Sequence, residues 1–534
     1  MSAVNDAAFS AHIPVTSLLR HGAVPIERTS DGVLVARDPA AAQPVPADWF
    51  PDEPLRYRRL DRATVQSLIL ATRPEDVADE MANGFTRRHP QIAVRTGVAG
   101  WQRVAAVGLG LALLATLATG HGAAAMAVAS AVFCASVLLR TSLAVAGGTA
   151  AARPPAPVLP DADLPTCTVL VPAYQEAAVV GDTIRCIAEL DYPADRLEVL
   201  VLVEQDDEAT ADAVRAVDPP SFVRIVPLPP GPPQTKPRAV NLGLLLAAGE
   251  LLVIFDAEDR PERDQLRKVA EQFAAGGPRL ACVQARLNFY NGRRNVLTRL
   301  FSLEYAFQYD LMLPGLARFG LPVPLGGTSN YLRTEVLRQV GGWDAWNVTE
   351  DADLGMRLAS AGYRVEVADS TTWEECPARA WPWVKQRTRW LKGFLLTILV
   401  HTRQPLAASR RFGGAGMATL LGVVAGNPLA YLLWPLALPA VAVGGPATRL
   451  AATAMWAAAL LMAGATAIAA RRRRLPWAAT ALLPLYWLLH ACAGWRAVAQ
   501  LVRSPYNWEK TTHWAQPGAP ATASPDLDGL PTAS

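Results

Sequence analysis

Between Val104 and Leu139 the chain carries no charged side chain, and that run most restricts what the protein can fold into. It is 36 residues long. As one helix it would measure ~54 Å, against a hydrocarbon core of ~30 Å. Two spans of about 18 residues fit the core, with Gly120-His121-Gly122 at the turn. Roughly 100 mostly polar residues come first, which is not the pattern of a secretory signal peptide. A second apolar zone runs from Phe412 to Trp495. Within it, Phe412–Thr448 is uncharged for 37 residues with an interruption at Asn427-Pro428, and Leu450–Ala470 and Leu475–Trp495 are 21 residues each. Arg471 to Arg474 stand between the last two. Run length predicts two plus four spans, with both chain ends on one side. The positive-inside rule holds the four arginines cytoplasmic, which implies one crossing in 412–448, five spans in all and an exported C-terminus. The length of the 412–448 run tips the expectation to six.

Composition agrees with a membrane-embedded chain. Hydrophobic residues are 51% and charged residues 18%, against roughly 25% charged in a soluble domain. Mean hydropathy is +0.17, so a wholly soluble enzyme is disfavoured. The net charge of +3 gives no electrostatic footprint for a nucleic acid. The six cysteines form no Cys-x-x-Cys pair, which argues against a disulfide framework or a zinc ribbon. No histidine lies between His121 and His401. Chemistry in that stretch must proceed without a histidine ligand, a Ser-His-Asp triad or a Cys-His pair.

Residues 151–165 are proline-rich and read as a linker. Beyond them, apolar strand-like runs at Cys167–Val171, Glu198–Val203, Phe222–Val226, Leu251–Phe255 and Ala281–Gln284 alternate with helix-like segments near 177–190, 208–217, 237–248 and 261–275. Continuous apolar strands with helical crossovers predict an α/β domain with a mostly parallel sheet covered on both faces. Ligands of such sheets bind at the carboxyl ends of the strands. Acidic residues recur there: Glu176 after the first strand, Glu204 to Glu208 after the second, Asp256, Glu258 and Asp259 after the fourth. One such loop is explained by helix capping, and Asp206–Glu208 alone fits a cap as well as a ligand site. Three on one edge point to a hard cation, Mg²⁺ or Mn²⁺, and a phosphorylated ligand. Neither a P-loop nor a strand-linked Gly-x-Gly-x-x-Gly occurs. A non-catalytic membrane scaffold or transporter would have no need of these acidic strand ends.

Further along stand Thr349-Glu350-Asp351 and Gln386-Arg387-Thr388-Arg389-Trp390. The order Pro-x-Tyr-x-Glu, acidic turn, Lys236, Asp-x-Glu, Thr-Glu-Asp and Gln-x-x-Arg-Trp, flanked by membrane spans, resembles the processive family 2 glycosyltransferases: cellulose, chitin and hyaluronan synthases and their bacterial exopolysaccharide relatives. The resemblance covers residues 166–400 and implies a GT-A-like domain inserted between transmembrane helices. It implies a nucleotide-sugar donor, usually a UDP-sugar, and a glycan acceptor. Pro172, Tyr174 and Glu176 would line the nucleoside site, with Glu204 and Asp207 near the base and Lys236 approaching the donor. Asp256 and Glu258 match the family's metal-binding Asp-x-Asp, the Glu being one methylene longer. Asp259 would be a supporting group or a cap. Asp351 matches the catalytic base, next to Glu350, while Gln386, Arg389 and Trp390 match the acceptor-binding motif. Gly326 to Asn330 resembles the acceptor-side glycine-rich turn. The implied activity is inverting transfer onto a growing polysaccharide, with a non-processive enzyme making a lipid-linked glycan as the alternative. The implied location is the inner (plasma) membrane, multi-pass, with the catalytic domain cytoplasmic.

The resulting organisation is an N-terminal domain over 1–100, a transmembrane hairpin over 101–145, a linker over 146–165, the GT-A domain over 166–400, C-terminal transmembrane helices over 401–500 and a tail over 501–534. In the first domain, Val24–Ile26 and Val33–Pro39 have strand–turn–strand character, and Asp61–Leu70 and Pro74–Ala82 read as short helices. This small α+β pattern is similar to the N-terminal domain of type II secretion ATPases, some of which bind cyclic di-GMP, although their long Arg/Leu/Gln nucleotide motif is absent here. Regulation by that nucleotide, docking of a partner protein and a purely structural brace are the expectations for residues 1–100. Residues 515–534 read as disordered.

Overall fold

The structure, a computed structural model, describes residues 10–41, 43–149 and 157–509. Residues 150–156 of the proline-rich linker and the tail expected to be disordered (515–534) lie outside the described residues.

Two separate sheets are present. The first is small: β1 (Ala23–Thr29), β2 (Gly32–Arg37) and β3 (Leu55–Arg59), with β1–β2 antiparallel and β2–β3 parallel. Helices Val15–His21, Arg62–Thr72 and Pro74–Arg88 accompany it. The second has eight strands: β4 (Cys167–Ala173), β5 (Leu197–Glu204), β6 (Val223–Leu228), β7 (Leu251–Ile254), β8 (Arg260–Pro261), β9 (Leu280–Phe289), β10 (Asn330–Arg333) and β11 (Arg364–Glu374). Their order is β6-β5-β4-β7-β10-β9-β11-β8. The sheet is mixed but mostly parallel, with only β10 and β8 reversed. β4, β5, β6 and β7 run parallel, as do β9 and β11, while β10 is antiparallel to both neighbours and β8 to β11.

The cause lies in the strand sequences. β4 and β5 are apolar on both faces and almost wholly buried, so helices Val180–Ala188, Glu208–Arg215 and Lys236–Leu246 must cover them. β10 is only Asn-Tyr-Leu-Arg and follows directly on a glycine-rich turn. It fills the gap between β7 and β9, with Tyr331 opposite Val253 on one side and Val283 on the other.

Residues 1–100 keep their own sheet but are not detached. The Gln66 amide donates to the Leu246 carbonyl at 2.9 Å, and Arg62 donates to Leu246 and Ala247 at 3.2 and 3.1 Å. The Asn241 side chain donates to the Met81 carbonyl at 3.1 Å, and the Trp346 indole to that of Ala82 at 2.9 Å. The domain is thus docked on helix Lys236–Leu246, whose first residue faces the site described below.

Among the described residues four helices are long and apolar enough to cross a membrane: Gly100–Ala118, Gly122–Gly148, Pro405–Val443 and Pro446–Arg472. The first hairpin is as expected. Run length predicts two crossings in 412–448; residues up to Val443 there belong to one long helical run, Pro405–Val443, with non-helical backbone at Gly413 (φ 63°), and Gly444–Gly445 separate it from the helix that starts at Pro446. Pro428 removes an N–H but does not break the helix, since a π-helical turn at Leu420–Ala425 takes up the irregularity. The expected span at 475–495 is instead a 3₁₀ turn, Trp477–Leu482, followed by helix Leu483–Arg503. That helix is not among the four, and it packs along Ala380–His401.

Both hairpins return to the eight-stranded sheet. Gly147 and Gly315 let helices Gly122–Gly148 and Leu313–Arg318 meet backbone to backbone: a Cβ on Gly147 would overlap the Leu311 carbonyl, and one on Gly315 the Leu143 carbonyl. Arg472 donates to the Gly148 carbonyl at 2.7 Å, and Arg473 grips both oxygens of Asp310 at 2.5 Å. Arg472 and Arg473 therefore tie the end of helix Pro446–Arg472 to the first hairpin and to Asp310.

Candidate active site

At the carboxyl ends of β4, β5 and β7 lies a cavity of about 410 Å³. Pro172, Tyr174, Glu176, Glu204, Lys236, Asp256, Glu258, Glu350, Asp351, Gln386, Arg389 and Trp390 all line it, with Gly326, Gly327 and Thr328 of the glycine-rich turn. These residues span more than two hundred positions of sequence, and the crossovers bring them to one place.

Asp207 alone among the expected site residues is not on the wall. Its carboxylate caps helix Glu208–Arg215 by accepting from the Thr210 amide at 3.2 Å, and it accepts from the Gln175 amide at 2.5 Å. It therefore braces the Tyr174–Glu176 loop from behind, with Gln175 held at φ 55°. Glu204 lines the cavity while paired to the fully buried Arg238 at 3.2 Å. Burial nonetheless keeps its carboxyl above the usual range.

The acidic end of β7 is crowded. Asp259 is completely buried and caps no helix. Its Oδ2 accepts from the Asp256 amide at 2.7 Å and from the Thr328 hydroxyl, tying the acidic turn to the glycine-rich turn. Its Oδ1 is buried without a hydrogen-bond partner. Burial, and then the charge of Asp256, raise the carboxyls of Glu258 and Asp259 well above their ordinary values. At the end of β11, Glu374 is raised in the same way by burial and by Asp259 and Asp256. Lys236 supplies positive charge through an ion pair with Asp256. A divalent cation fits this excess of buried carboxylate. No three acidic, histidine or cysteine side chains among the described residues form a ready-made cage. The donor set is that of an ion held by one or two carboxylates and completed by ligand phosphates, the usual manner of Mg²⁺.

Across the cavity, helix Glu350–Ser360 starts at Thr349 and presents two acids. Burial raises Asp351 to about 6, with the Ala352 amide, Lys236 and Arg389 pulling the other way. Burial and the neighbouring Asp351 raise Glu350 to about 8. Burial thus disfavours the charge on both acids. Asp351 Oδ1 accepts from the Ala352 amide at 2.7 Å.

The acceptor motif lies on helix Ala380–His401. Trp390 stacks on Tyr305, with centroids 6.3 Å apart and planes 29° apart, and the Arg387 guanidinium lies 4.3 Å from its ring. Arg387 is fixed by Glu304 at 2.9 Å. Gln386 Oε1 and Arg389 Nε are buried without hydrogen-bond partners, which leaves them available to a ligand in the cavity.

Several wall residues carried no sequence signal. Tyr305, Gln308 and Tyr309 come from the end of helix Val296–Tyr305 and the π-helical segment Ala306–Met312 that continues it. Their one hint is the Tyr-x-x-x-Tyr spacing, which puts two aromatics on one face of a helix. Glu374 ends a strand too polar to be read as one. Trp508 arrives from beyond the last helix and lies 4.3 Å over the Arg389 guanidinium. Asn427 is contributed by a candidate membrane span.

Residues 165–393 match the family described as "Glycosyltransferase like family 2". The chain is 28% identical over 257 residues to the probable glycosyltransferase YdaM of Bacillus subtilis, covering 47% of this chain and 60% of that protein. It is 28% identical over 286 residues to the beta-monoglucosyldiacylglycerol synthase of Synechocystis, covering 52% of this chain and 59% of that protein. A mannosyltransferase from Pyrobaculum calidifontis, solved with GDP-Man and Mn²⁺, superposes with a TM-score of 0.48 at 21% identity over 71% of this chain and 98% of its own. The match to the family and the cavity that gathers its motifs identify residues 165–393 as a glycosyltransferase domain of family 2.

Proposed function

We propose that this protein is a membrane-embedded, metal-dependent, inverting glycosyltransferase that moves sugar from a nucleotide-sugar, a UDP-sugar in the leading case, onto a growing polysaccharide. The observation that carries the reading is the single cavity in which Asp256 and Glu258 face Asp351, with Trp390 on its wall. The donor's diphosphate lies toward Lys236 and the β7 carboxylates. Its nucleoside lies toward Pro172, Tyr174, Glu176 and Glu204. Asp256 and Glu258 would hold Mg²⁺ or Mn²⁺, which supplies positive charge to the leaving diphosphate.

Asp351 accepts the proton of the acceptor hydroxyl as its oxygen attacks the anomeric carbon. The bond from that carbon to the diphosphate breaks with inversion, and the nucleoside diphosphate leaves. Lys236 and Arg389 add fixed positive charge beside it. Gln386 and Trp390 hold the acceptor sugar. Screening UDP- and GDP-sugars for nucleotide release by purified protein, with product length read on a gel, tests this reading. Long polymer supports it, and absence of release from every donor overturns it.

A second reading, transfer to a lipid-linked acceptor, is favoured by one observation: Asn427, on a candidate span, is part of the cavity wall. A single-addition product that partitions with lipid supports this alternative. In either case the protein sits in the inner membrane with the sheet domain and the arginine quartet cytoplasmic. Residues 1–100 act as a regulatory or docking domain, and titration of the full chain with cyclic di-GMP separates a nucleotide sensor from a protein-docking module.

A further inference from the structure

Two residues beyond Asp351, the same helix buries a second carboxylate that the cavity does not reach. Asp353 is 1% exposed. Its Oδ1 lies 2.8 Å from His401 Nε2, and its Oδ2 accepts from Arg357 Nε at 2.7 Å. His401 ends the helix that carries Gln386, Arg389 and Trp390. Arg357 donates its other nitrogens to the Val340 and Gly342 carbonyls, both at 2.7 Å. Its guanidinium lies 4.6 Å from the ring of Phe85. Phe85 is buried on helix Pro74–Arg88 of the N-terminal domain. One carboxylate thus joins the helix of the proposed base to the acceptor helix and, through Arg357, to residues 1–100.

We propose that Asp353 is a positioning residue for Asp351, clamped by His401 and Arg357, and that Phe85 extends this clamp to the N-terminal domain. The inference rests on the reading of Asp351 as the base. Successive residues of an α-helix turn by about 100°, so Asp351 and Asp353 project about 200° apart on nearly opposite faces. The face that aims Asp351 into the cavity therefore aims Asp353 into the clamp. A carboxylate lies about 6 Å from the helix axis. A 10° roll of the helix would displace Asp351 by about 1 Å, a misplacement able to cost ~10²-fold in rate. A buried ion pair is weak support for stability, since apolar packing often does as well; the four hydrogen bonds here join Asp353 to both neighbouring elements in one geometry. Nothing in the cavity uses Asp353, Arg357 or His401, so orientation is the role left to them.

The test uses full-length protein in detergent and measures donor-binding stoichiometry, donor KM and kcat per binding-competent molecule. The reference variant is Asp351→Asn. Asp353→Asn and His401→Ala should lower kcat by ~10-fold or more, with donor KM little changed. His401→Gln places an amide nitrogen where Nε2 was, and should recover most of the rate. Phe85→Ala, remote from the cavity and free of any buried charge, should lower kcat in the same direction. A packing role alone would lower the melting temperature and the binding-competent fraction and leave kcat per competent molecule unchanged. That result in Asp353→Asn and His401→Ala overturns the proposal. Should Asp353→Asn not fold, the comparison of His401→Ala with His401→Gln decides alone. Wild-type kcat in Phe85→Ala overturns the extension to the N-terminal domain. Full turnover in Asp351→Asn would remove the base itself, an outcome distinct from all of these.

Discussion

Lys236 and Asp256 form an ion pair inside the cavity, and the same ammonium donates to the Gly327 carbonyl at 2.9 Å. Burial opposes the charge on Lys236, but Asp256 and then Glu350 more than offset it, so its pKa is raised. Lys236 thus stands between the donor-side carboxylates and the acids of helix Glu350–Ser360. It ties the glycine-rich turn to both.

That arrangement makes Asp256 answer to two partners, the lysine and the proposed cation. Excess EDTA should stop donor turnover, and Mg²⁺ or Mn²⁺ should restore it. Asp256→Asn keeps the shape of the side chain but halves its capacity as a hard-ion ligand. It should lose turnover while the protein still folds and inserts in membranes. Full activity in excess chelator would remove the metal from the mechanism.

Asp351 gives a pH dependence whose sign follows from its environment. Burial raises its carboxyl to about 6, so below that pH it is protonated and takes no proton from an acceptor. kcat/KM should rise with pH through about 6 and level off above it. Asp351→Asn should cost ~10²–10⁴-fold, the usual range for a general base, and abolish this limb while donor binding persists. Burial and the neighbouring Asp351 favour the neutral form of Glu350. Glu350→Gln mimics that neutral form and should retain the acidic limb, whereas disappearance of the limb in Glu350→Gln would assign it to Glu350.

Gly393 locates the acceptor helix against the base. A Cβ there would overlap the Thr349 side chain, one residue before Glu350. Overpacking of this kind costs about 1–3 kcal/mol. Gly393→Ala should therefore lower the melting temperature and turnover together. An unchanged melting temperature would mean that the two helices do not meet as closely as this.

The parts legible in the sequence are those written in local pattern. β4, β5, β6 and β7 are short apolar runs, and the helices between them carry polar faces, so the parallel half of the sheet could be read directly. β10 and β11 could not. β10 has four residues and borrows its stability from neighbours on both sides, while β11 reads Arg-Val-Glu-Val-Ala-Asp-Ser-Thr-Thr-Trp-Glu, too polar to announce a strand. The acidic residues at the ends of β4, β5 and β7 were legible by position, whereas Glu350, Asp351, Gln386, Arg389 and Trp390 were singled out only by the motif order that resembles the family. Asp207 shows the limit of that rule, since a carboxylate at a strand end can cap the next helix and never reach the ligand. Tyr309, Glu374 and Trp508 reach the cavity through a π-helical segment, a polar strand and a returning chain, none of which has a periodicity to read. The helix layout of 405–443 was hidden for a related reason: length alone cannot distinguish a long helix carrying Pro428 from two short ones.

Trp390 tests the acceptor side and, with it, the choice between polymer and single addition. Its ring is held by Tyr305 on one side and by Arg387, itself paired to Glu304, on the other. Such bracing keeps the indole at a fixed place on the wall, where a sugar ring can rest against it. A polymerising enzyme must retain its product between additions, while hydrolysis of the donor by water needs no such grip. Trp390→Ala should therefore suppress polymer formation more than donor hydrolysis, and shorten the chains that are made. The measurement is nucleotide release with and without acceptor, alongside product length on a gel. If polymer and hydrolysis fall in parallel, Trp390 serves packing through Tyr305 and Arg387, and the acceptor must be held instead by Gln386 and the π-helical residues Gln308 and Tyr309.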